Sequence, residues 1–110
     1  MDTLTQPVLD WANLIEEELR YFAVDPLGSQ IKASVILDRD SGHFSLMHNG
    51  WENGKYINDP VAHLELRGDE ILVHDDNAGM NFIAPNLIRQ GVPRDKIKIV
   101  AHPDYYIEEA

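Results

Sequence analysis

Cysteine is absent from the 110-residue sequence, so disulfides, thiolate zinc sites and cysteine nucleophiles are excluded. The sequence also lacks an apolar run near the roughly 20 residues that cross a membrane. Its start, Met1-Asp2-Thr3, lacks the basic and apolar segments of a signal peptide. We therefore expect a cytoplasmic protein without membrane contact, and the length suits one domain over residues 1–110.

Basic residues are few and scattered, because 9 Lys and Arg stand against 19 Asp and Glu, for a formal net charge of −10. Proteins that bind nucleic acid directly usually cluster Lys and Arg against the phosphate backbone. The nearest approach to a cluster, Arg94, Lys96 and Lys98, is interrupted by Asp95. We therefore expect no direct nucleic-acid binding, whereas the acidic surface favours either simple solubility or a basic protein partner.

Motifs of common enzymes are missing as well. The sequence has no phosphate-binding glycine loop, no Gly-x-Ser-x-Gly elbow and no His-Glu-x-x-His motif. The acidic pairs Asp38 with Asp40 and Asp75 with Asp76 lack the ordered spacing of a calcium loop. Turn chemistry accounts for them, since Asp bonds nearby backbone N–H groups. We therefore expect no enzyme activity, no catalytic residues and no cofactor.

The most informative stretch that is present, Val61–His74, predicts a β-hairpin. Gly68-Asp69 is a favoured two-residue turn, because Gly accepts the positive φ that such a turn needs. Side chains alternate between the two faces of a strand, so this turn fixes which residues are buried. The predicted core pairs are Leu66 with Ile71 and Leu64 with Val73. The predicted pairs on the opposite, mostly solvated face are Arg67 with Glu70, Glu65 with Leu72, and His63 with His74.

Hydrophobic periodicity predicts the remaining elements. Residues 49–60 are rich in Gly, Asn and Pro and are predicted to form a loop. The predicted elements are a helix over 5–23, strands over 30–37 and 43–50, a short helix from about 81–84 to Gly91, and a last strand over 96–101. The order α-β-β-β-β-α-β indicates an α+β two-layer sandwich, with an antiparallel sheet of two hairpins plus a short last strand and two helices on one face.

Histidine supplies the only candidates for chemistry near neutral pH. In the predicted hairpin the Cβ atoms of His63 and His74 are about 4.5–5.5 Å apart. Two neighbouring imidazoles can bind a metal, with Asp75 or Asp76 as an added oxygen ligand. No third ligand lies at a recognised spacing, so a pair of exposed or interface histidines is the competing interpretation. His43 is expected to be a packing or strand-end residue.

A half-apolar outer sheet face and aromatic residues outside the predicted strands are typical of protein interfaces. The aromatic residues would equally suit the edges of a core, and the sequence does not separate the two. The outer face favours a protein partner or a second copy of the chain. The candidate interface residues are His63, Glu65, Arg67, Leu72, His74, Trp51, Tyr105 and Tyr106.

Three blocks of the sequence resemble the XisI family, the fdxN element excision controlling factors of cyanobacteria. The blocks are Asp38 … His43-Phe44-x-Leu46 … Gly50-Trp51, then Val61-x-His63-Leu64-Glu65-Leu66 … Glu70-Ile71, then Gly91-Val92-Pro93-Arg94-Asp95-Lys96-Ile97. The opening Met1-Asp2-x-Leu4 before an amphipathic helix also fits, so the resemblance covers nearly the whole chain.

The resemblance implies an α+β fold and a non-enzymatic control factor in programmed DNA excision during heterocyst development, beside a recombinase. It also implies a companion protein, XisH, which looks nuclease-like. A sharper form of the partner hypothesis and an alternative from another class, which rests on the histidine pair and not on the resemblance, are also considered. The chain inhibits that partner as an antitoxin would, or it is a metal-dependent enzyme or sensor that uses His63 and His74.

Overall fold

The computed structural model describes residues 6–77 and 83–100, and within them the chain forms two α-helices and five strands. They are α1 (Gln6–Phe22), β1 (Lys32–Asp38), β2 (His43–Glu52), β3 (Lys55–Arg67), β4 (Glu70–Asp76), α2 (Ile83–Arg89) and β5 (Ile97–Ile99), with a 3-10 turn (Arg94–Lys96) before β5. This order is the predicted one and confirms the α+β class.

The strands form one open sheet in the order β1-β2-β3-β4-β5. The first four strands are antiparallel to their neighbours, and β5 pairs with β4 in parallel, so the sheet is mixed. A parallel neighbour needs a crossover connection, and the segment that contains α2 supplies it. Both described helices pack into one hydrophobic core with the same sheet face, which leaves the opposite face open.

The first helix follows its apolar stripe. Trp11, Ala12, Ile15 and Leu19 lie at three- and four-residue spacings and are all buried in the core. The helix ends at Phe22, as predicted from the Asp25-Pro26 pair that cannot continue it. Its predicted cap, Thr5, lies outside the described residues. Within those residues no helix is long and apolar enough to cross a membrane.

The predicted hairpin is present between β3 and β4, and Gly68 has the expected positive φ of 61°. Four predicted pairs are confirmed, namely Arg67 with Glu70, Leu66 with Ile71, Glu65 with Leu72 and Leu64 with Val73. The predicted pairing of His63 with His74 is wrong, because the register shifts by one residue and His63 pairs with Asp75. Such a shift is a β-bulge, which sequence alternation alone does not reveal.

The prediction of a loop over residues 49–60 is also wrong. Strands β2 and β3 run through this stretch and are joined by the turn Asn53-Gly54, whose φ angles are 53° and 76°. Two positive φ angles are typical of the type I′ turn, whose twist matches that of paired strands. The four antiparallel strands therefore form a continuous meander. Pairing of β1 stops at Asn49 and that of β4 at Ala62, so the β2–β3 tip extends beyond its neighbours.

The second helix begins within the predicted range, at Ile83. The Asp76 carboxylate at the end of β4 accepts hydrogen bonds from the backbone N–H groups of Ile83 (2.8 Å) and Ala84 (2.9 Å). Burial raises the pKa of Asp76, and these two hydrogen bonds oppose the rise. The last strand begins one residue later than predicted, because the 3-10 turn includes Lys96, and it ends at Ile99.

Gly50 fixes the loop between α1 and β1 against the β2–β3 hairpin. Its φ is +150°, and a Cβ atom there would lie 2.3 Å from the carbonyl oxygen of Gln30 and 2.8 Å from the Cα of Ile31. Both contacts are far below van der Waals distance and involve backbone atoms, so a side chain at this position must displace the loop.

We predict that Gly50→Ala lowers the free energy of unfolding by about 2–4 kcal/mol, since overpacking and an unfavourable φ act together. Gly54→Ala is the matched control, because Gly54 has a φ of +76° but no atom within 4 Å of its Cβ position. It should cost only the backbone strain, about 1–2 kcal/mol. Urea denaturation measures both, and equal losses would contradict the steric account.

Candidate functional site on the open sheet face

Three histidines and one glutamate meet on the open face of the sheet. They are His43 from β2, His63 and Glu65 from β3, and His74 from β4, and we call these four residues the His–Glu cluster. Each is next to a core residue in its strand, and side chains alternate between faces, so all four point away from the helices. The cluster is therefore a consequence of strand pairing.

His74 joins the cluster through the β-bulge. It is the extra residue of β4, since His63 pairs with Asp75 while the positions nearer the turn keep the predicted register. Its ring stacks on that of His63, with centroids 4.6 Å apart and an interplanar angle of 27°. Its Nε2 atom donates to Oε1 of Glu65 at 2.9 Å. The two histidines thus touch, although they are not paired residues.

His43 is the member of the cluster that the sequence analysis missed. It was expected to be a packing or strand-end residue, and it is the first residue of β2, where pairing with β3 places it opposite Glu65. The signal for that pairing is the dipeptide Asn53-Gly54, a strong hairpin indicator between two alternating segments. The turn alone would place His43 opposite Leu64, and a second register shift, between Leu46 and Met47, moves it opposite Glu65 and beside His63.

His43 and His63 share a hydrogen bond of 2.8 Å between Nδ1 of His43 and Nε2 of His63. A bond between two ring nitrogens needs one of them to lack a proton, so at most one of the two rings is charged while the bond is intact. His63 lies in the middle of the row, since the centroids of His43 and His74 are 6.3 Å apart. The middle ring has an imidazole on each side.

Glu65 is only 6 % exposed and its register partner Leu72 only 9 %, although no described helix covers this face. The prediction that both face solvent is therefore wrong. Neighbouring side chains cover Glu65. Its Oε2 accepts a hydrogen bond from Nε of Arg67 (2.9 Å) and forms an ion pair with Nη2 of Arg67 (2.8 Å), while its Oε1 accepts from His74. Nε2 of His43 lies 3.9 Å from Oε2.

The local electrostatic environment gives Glu65 and His63 different charge states at neutral pH. The hydrogen bond from His74, followed by that from Arg67, holds the pKa of Glu65 below its ordinary value, although desolvation opposes them. Glu65 is therefore a carboxylate at neutral pH. Burial, followed by the neighbouring charges of His74 and His43, lowers the pKa of His63 from its ordinary value of 6.5. His63 is therefore held as the neutral ring.

One ring nitrogen of each histidine in the predicted metal pair is engaged with another member of the cluster. Nε2 of His63 is bonded to His43, and Nε2 of His74 is bonded to Glu65. Over residues 6–77 and 83–100, no group of three or more His, Cys, Asp or Glu side chains has a geometry that could hold a metal ion. The predicted metal pair, His63 and His74, is seen as a stacked pair of rings.

The structure brings together five of the predicted interface residues, His63, Glu65, Arg67, Leu72 and His74. Trp51 lies elsewhere, at the tip of the β2–β3 hairpin, where it is 55 % exposed and its ring contacts Tyr56 at a centroid distance of 5.4 Å. Tyr105 and Tyr106 lie outside the described residues. The interface candidates therefore belong to at least two separate places on the molecule.

The sequence matches the XisI protein family over residues 1–108. The chain belongs to the XisI family. Its fold is similar to that of an XisI-like protein from Anabaena variabilis, with 25 % identity and a TM-score of 0.79 over 89 % of this chain and 90 % of that chain. The fdxN element excision controlling factor XisI from the same organism has the same fold, with 18 % identity and a TM-score of 0.71 over 86 % and 93 % of the two chains. No curated protein matches the sequence.

Membership of the XisI family confirms the resemblance, and two of its sequence blocks meet at the cluster. The first block supplies His43 and the second supplies His63 and Glu65. One solved relative carries the name of a controlling factor, which describes regulation rather than catalysis.

We predict that the His–Glu cluster makes stability depend on pH. Because the folded state lowers the pKa of His63, the unfolded chain takes up a proton at higher pH than the folded chain does. The free energy of unfolding should therefore fall as pH drops from about 7.5 to about 5.5, through the ordinary histidine range. The His63→Gln variant should lose less stability over this interval in urea denaturation.

Ser45→Ala is the control for this measurement, because Ser45 pairs with His63 on the same face but carries no titratable group. It should keep the pH dependence of the wild type. Parallel stability curves for the wild type and His63→Gln would contradict the assignment of the neutral ring. The lowered pKa of Glu65 acts below its ordinary value of 4.5, so it does not interfere in this interval.

Proposed function

We propose that this XisI-family chain is a non-enzymatic control factor that acts by binding a protein partner through the open sheet face. The observation that carries the proposal is the His–Glu cluster, which lies on a face that no described helix covers. Its members are bonded to one another before any partner arrives. A surface held in one conformation loses little side-chain entropy on binding.

The chemistry around the cluster supports a protein surface as the occupant. Ile36 on β1 is 55 % exposed and points to the same face, since it pairs with Ser45, which in turn pairs with His63. An exposed aliphatic side chain beside imidazoles and the Arg67 guanidinium gives the mixture of apolar and polar groups that interface centres use. Neither a deep cavity nor an exposed nucleophile is needed for such a role.

The partner that we propose is an XisH-like protein with a nuclease-like fold, and the process is control of site-specific DNA excision at the fdxN element in heterocyst development. The net charge of −10 supports it. A protein that acts on DNA presents basic surface to the phosphates, and an acidic chain is complementary to that surface. In this proposal the chain reaches DNA only through its partner.

We predict that this chain and the XisH-like protein of the same genome elute together in size-exclusion chromatography and bind in isothermal titration calorimetry. Ile36→Arg should weaken binding more than about tenfold, since it puts a charge near the centre of the proposed interface. The control is Tyr21→Arg, because Tyr21 is also exposed, at 75 %, but lies on α1, on the other side of the sheet. Separate peaks for the wild type, or equal effects of both variants, would refute the proposal.

The acidic net charge of the chain favours a second, narrower function, in which the chain inhibits a DNA-cleaving partner as an antitoxin would. An acidic surface that occupies the basic DNA-binding surface of the partner excludes DNA by competition. A nuclease assay on the XisH-like protein, with increasing amounts of wild type or Ile36→Arg, separates this form from simple binding. Binding without any loss of cleavage would contradict the inhibitor hypothesis and would still be consistent with the accessory role.

A further inference from the structure

Strand β1 lies at one edge of the sheet, and among the described strands it pairs only with β2. The N–H of Ala33 donates to Oδ1 of Asp25 at 2.8 Å, so this N–H points away from β2. Backbone groups alternate in direction along a strand, so the N–H and C=O groups of Val35 and Leu37 also point outward. None of the described residues is bonded to these outward groups. The middle of the β1 edge is therefore open to another strand.

This edge lacks the features that usually keep a strand edge from pairing, which are charged side chains, proline and β-bulges. Residues 33–37 read Ala-Ser-Val-Ile-Leu, and β1 pairs with β2 without a register shift. The segment is also apolar on both faces, since Ile36 is 55 % exposed on the open face and Val35 and Leu37 are only half-buried against the core. An added strand therefore covers apolar surface as well as backbone groups.

Asp25 limits the register that an added strand can adopt, because its carboxylate already holds the N–H of Ala33. An antiparallel copy of β1 centred on Ile36 leaves this end of the edge alone. Val35 of each copy then lies opposite Leu37 of the other, and each such pair exchanges two hydrogen bonds. A register centred on Val35 instead brings the carbonyl of Leu37 to the occupied N–H and its carboxylate, acceptor against acceptor. The available donors therefore favour the register centred on Ile36.

The charges at the two ends of this edge favour an antiparallel second copy. Lys32 precedes the apolar segment, whereas Asp38 and Asp40 follow it. In the register centred on Ile36, Lys32 of one copy comes near Asp40 of the other, which is an attractive pairing. A parallel copy in register instead places like charges side by side at both ends. The antiparallel arrangement also has a twofold axis, so it closes as a dimer.

We propose that a second copy of this chain pairs with the outer edge of β1, antiparallel and with the twofold axis at Ile36, so that the two sheets become one continuous sheet. The two open faces then lie side by side, and the surface that carries the His–Glu cluster extends across both copies. This pairing needs no XisH-like protein, so its test is independent of the function proposed above.

Because the chain has no cysteine, a single introduced cysteine tests the register by cross-linking. Residues that face each other in a pair without hydrogen bonds have Cα atoms about 4.5 Å apart, within the range of a disulfide. Ile36→Cys should therefore form a covalent dimer with oxidised glutathione, seen on a non-reducing gel. Ser34→Cys is the matched control, since Ser34 is exposed on the same face of β1, but its two copies are about 13 Å apart along the strands.

Sedimentation velocity measures the same pairing without a covalent bond, and the wild type should form a dimer with a dissociation constant on the order of micromolar. Ile36→Lys and Ile36→Glu should each weaken the dimer more than about tenfold, because each places like charges opposite each other at the twofold axis. An equimolar mixture of the two variants should restore it. A wild type that stays monomeric far above micromolar concentration, equal cross-linking of Ile36→Cys and Ser34→Cys, or a mixture that associates no better than either variant alone would each overturn the proposal.

Discussion

The open sheet face is arranged around one buried charge, the Glu65 carboxylate, on the side of the sheet that no described helix covers. A carboxylate removed from water is costly unless charged or polar donors surround it. Here His74 and Arg67 supply those donors from the same face, and His43 lies within 4 Å. The bulge that brings His74 into reach is therefore tied to the charge state of a single residue on the neighbouring strand. On this face the strand register and the charge of Glu65 therefore depend on each other.

One face of the sheet forms the hydrophobic core, and the other carries the candidate site. One face packs with both described helices around residues such as Phe44, Leu46 and Leu64, and it accounts for the core. The other face carries the His–Glu cluster and Ile36. Because strand alternation sends neighbouring residues to opposite faces, the core residues Phe44 and Leu64 have members of the His–Glu cluster beside them in the chain. A small domain can in this way keep a stable core and present an ordered surface with the same strands, which suits a protein whose proposed work is contact.

Much of the fold could be predicted from the sequence, because short-range patterns determine it. The turn at Gly68, the alternation of Leu64 and Leu66, and the helical stripe of α1 are local signals, and all were confirmed. The β2–β3 pairing was not predicted, since Asn58, Asp59 and Pro60 are typical of loops. Proline is tolerated at that position because β4 does not pair with β3 there, so one side of the strand needs no N–H donor.

The site was predicted only in part for a related reason. A bulge changes the register by one residue without changing the pattern of apolar positions, so the contact of His74 with Glu65 leaves no trace in periodicity. The burial of Glu65 likewise depends on side chains from two other strands.

The parallel pairing of β5 with β4 has a consequence for chain entropy. Strand β5 meets β4 only after the chain has passed through α2, whereas the meander pairs sequence neighbours, so closing the β4–β5 pair costs more chain entropy than closing any hairpin turn of the meander.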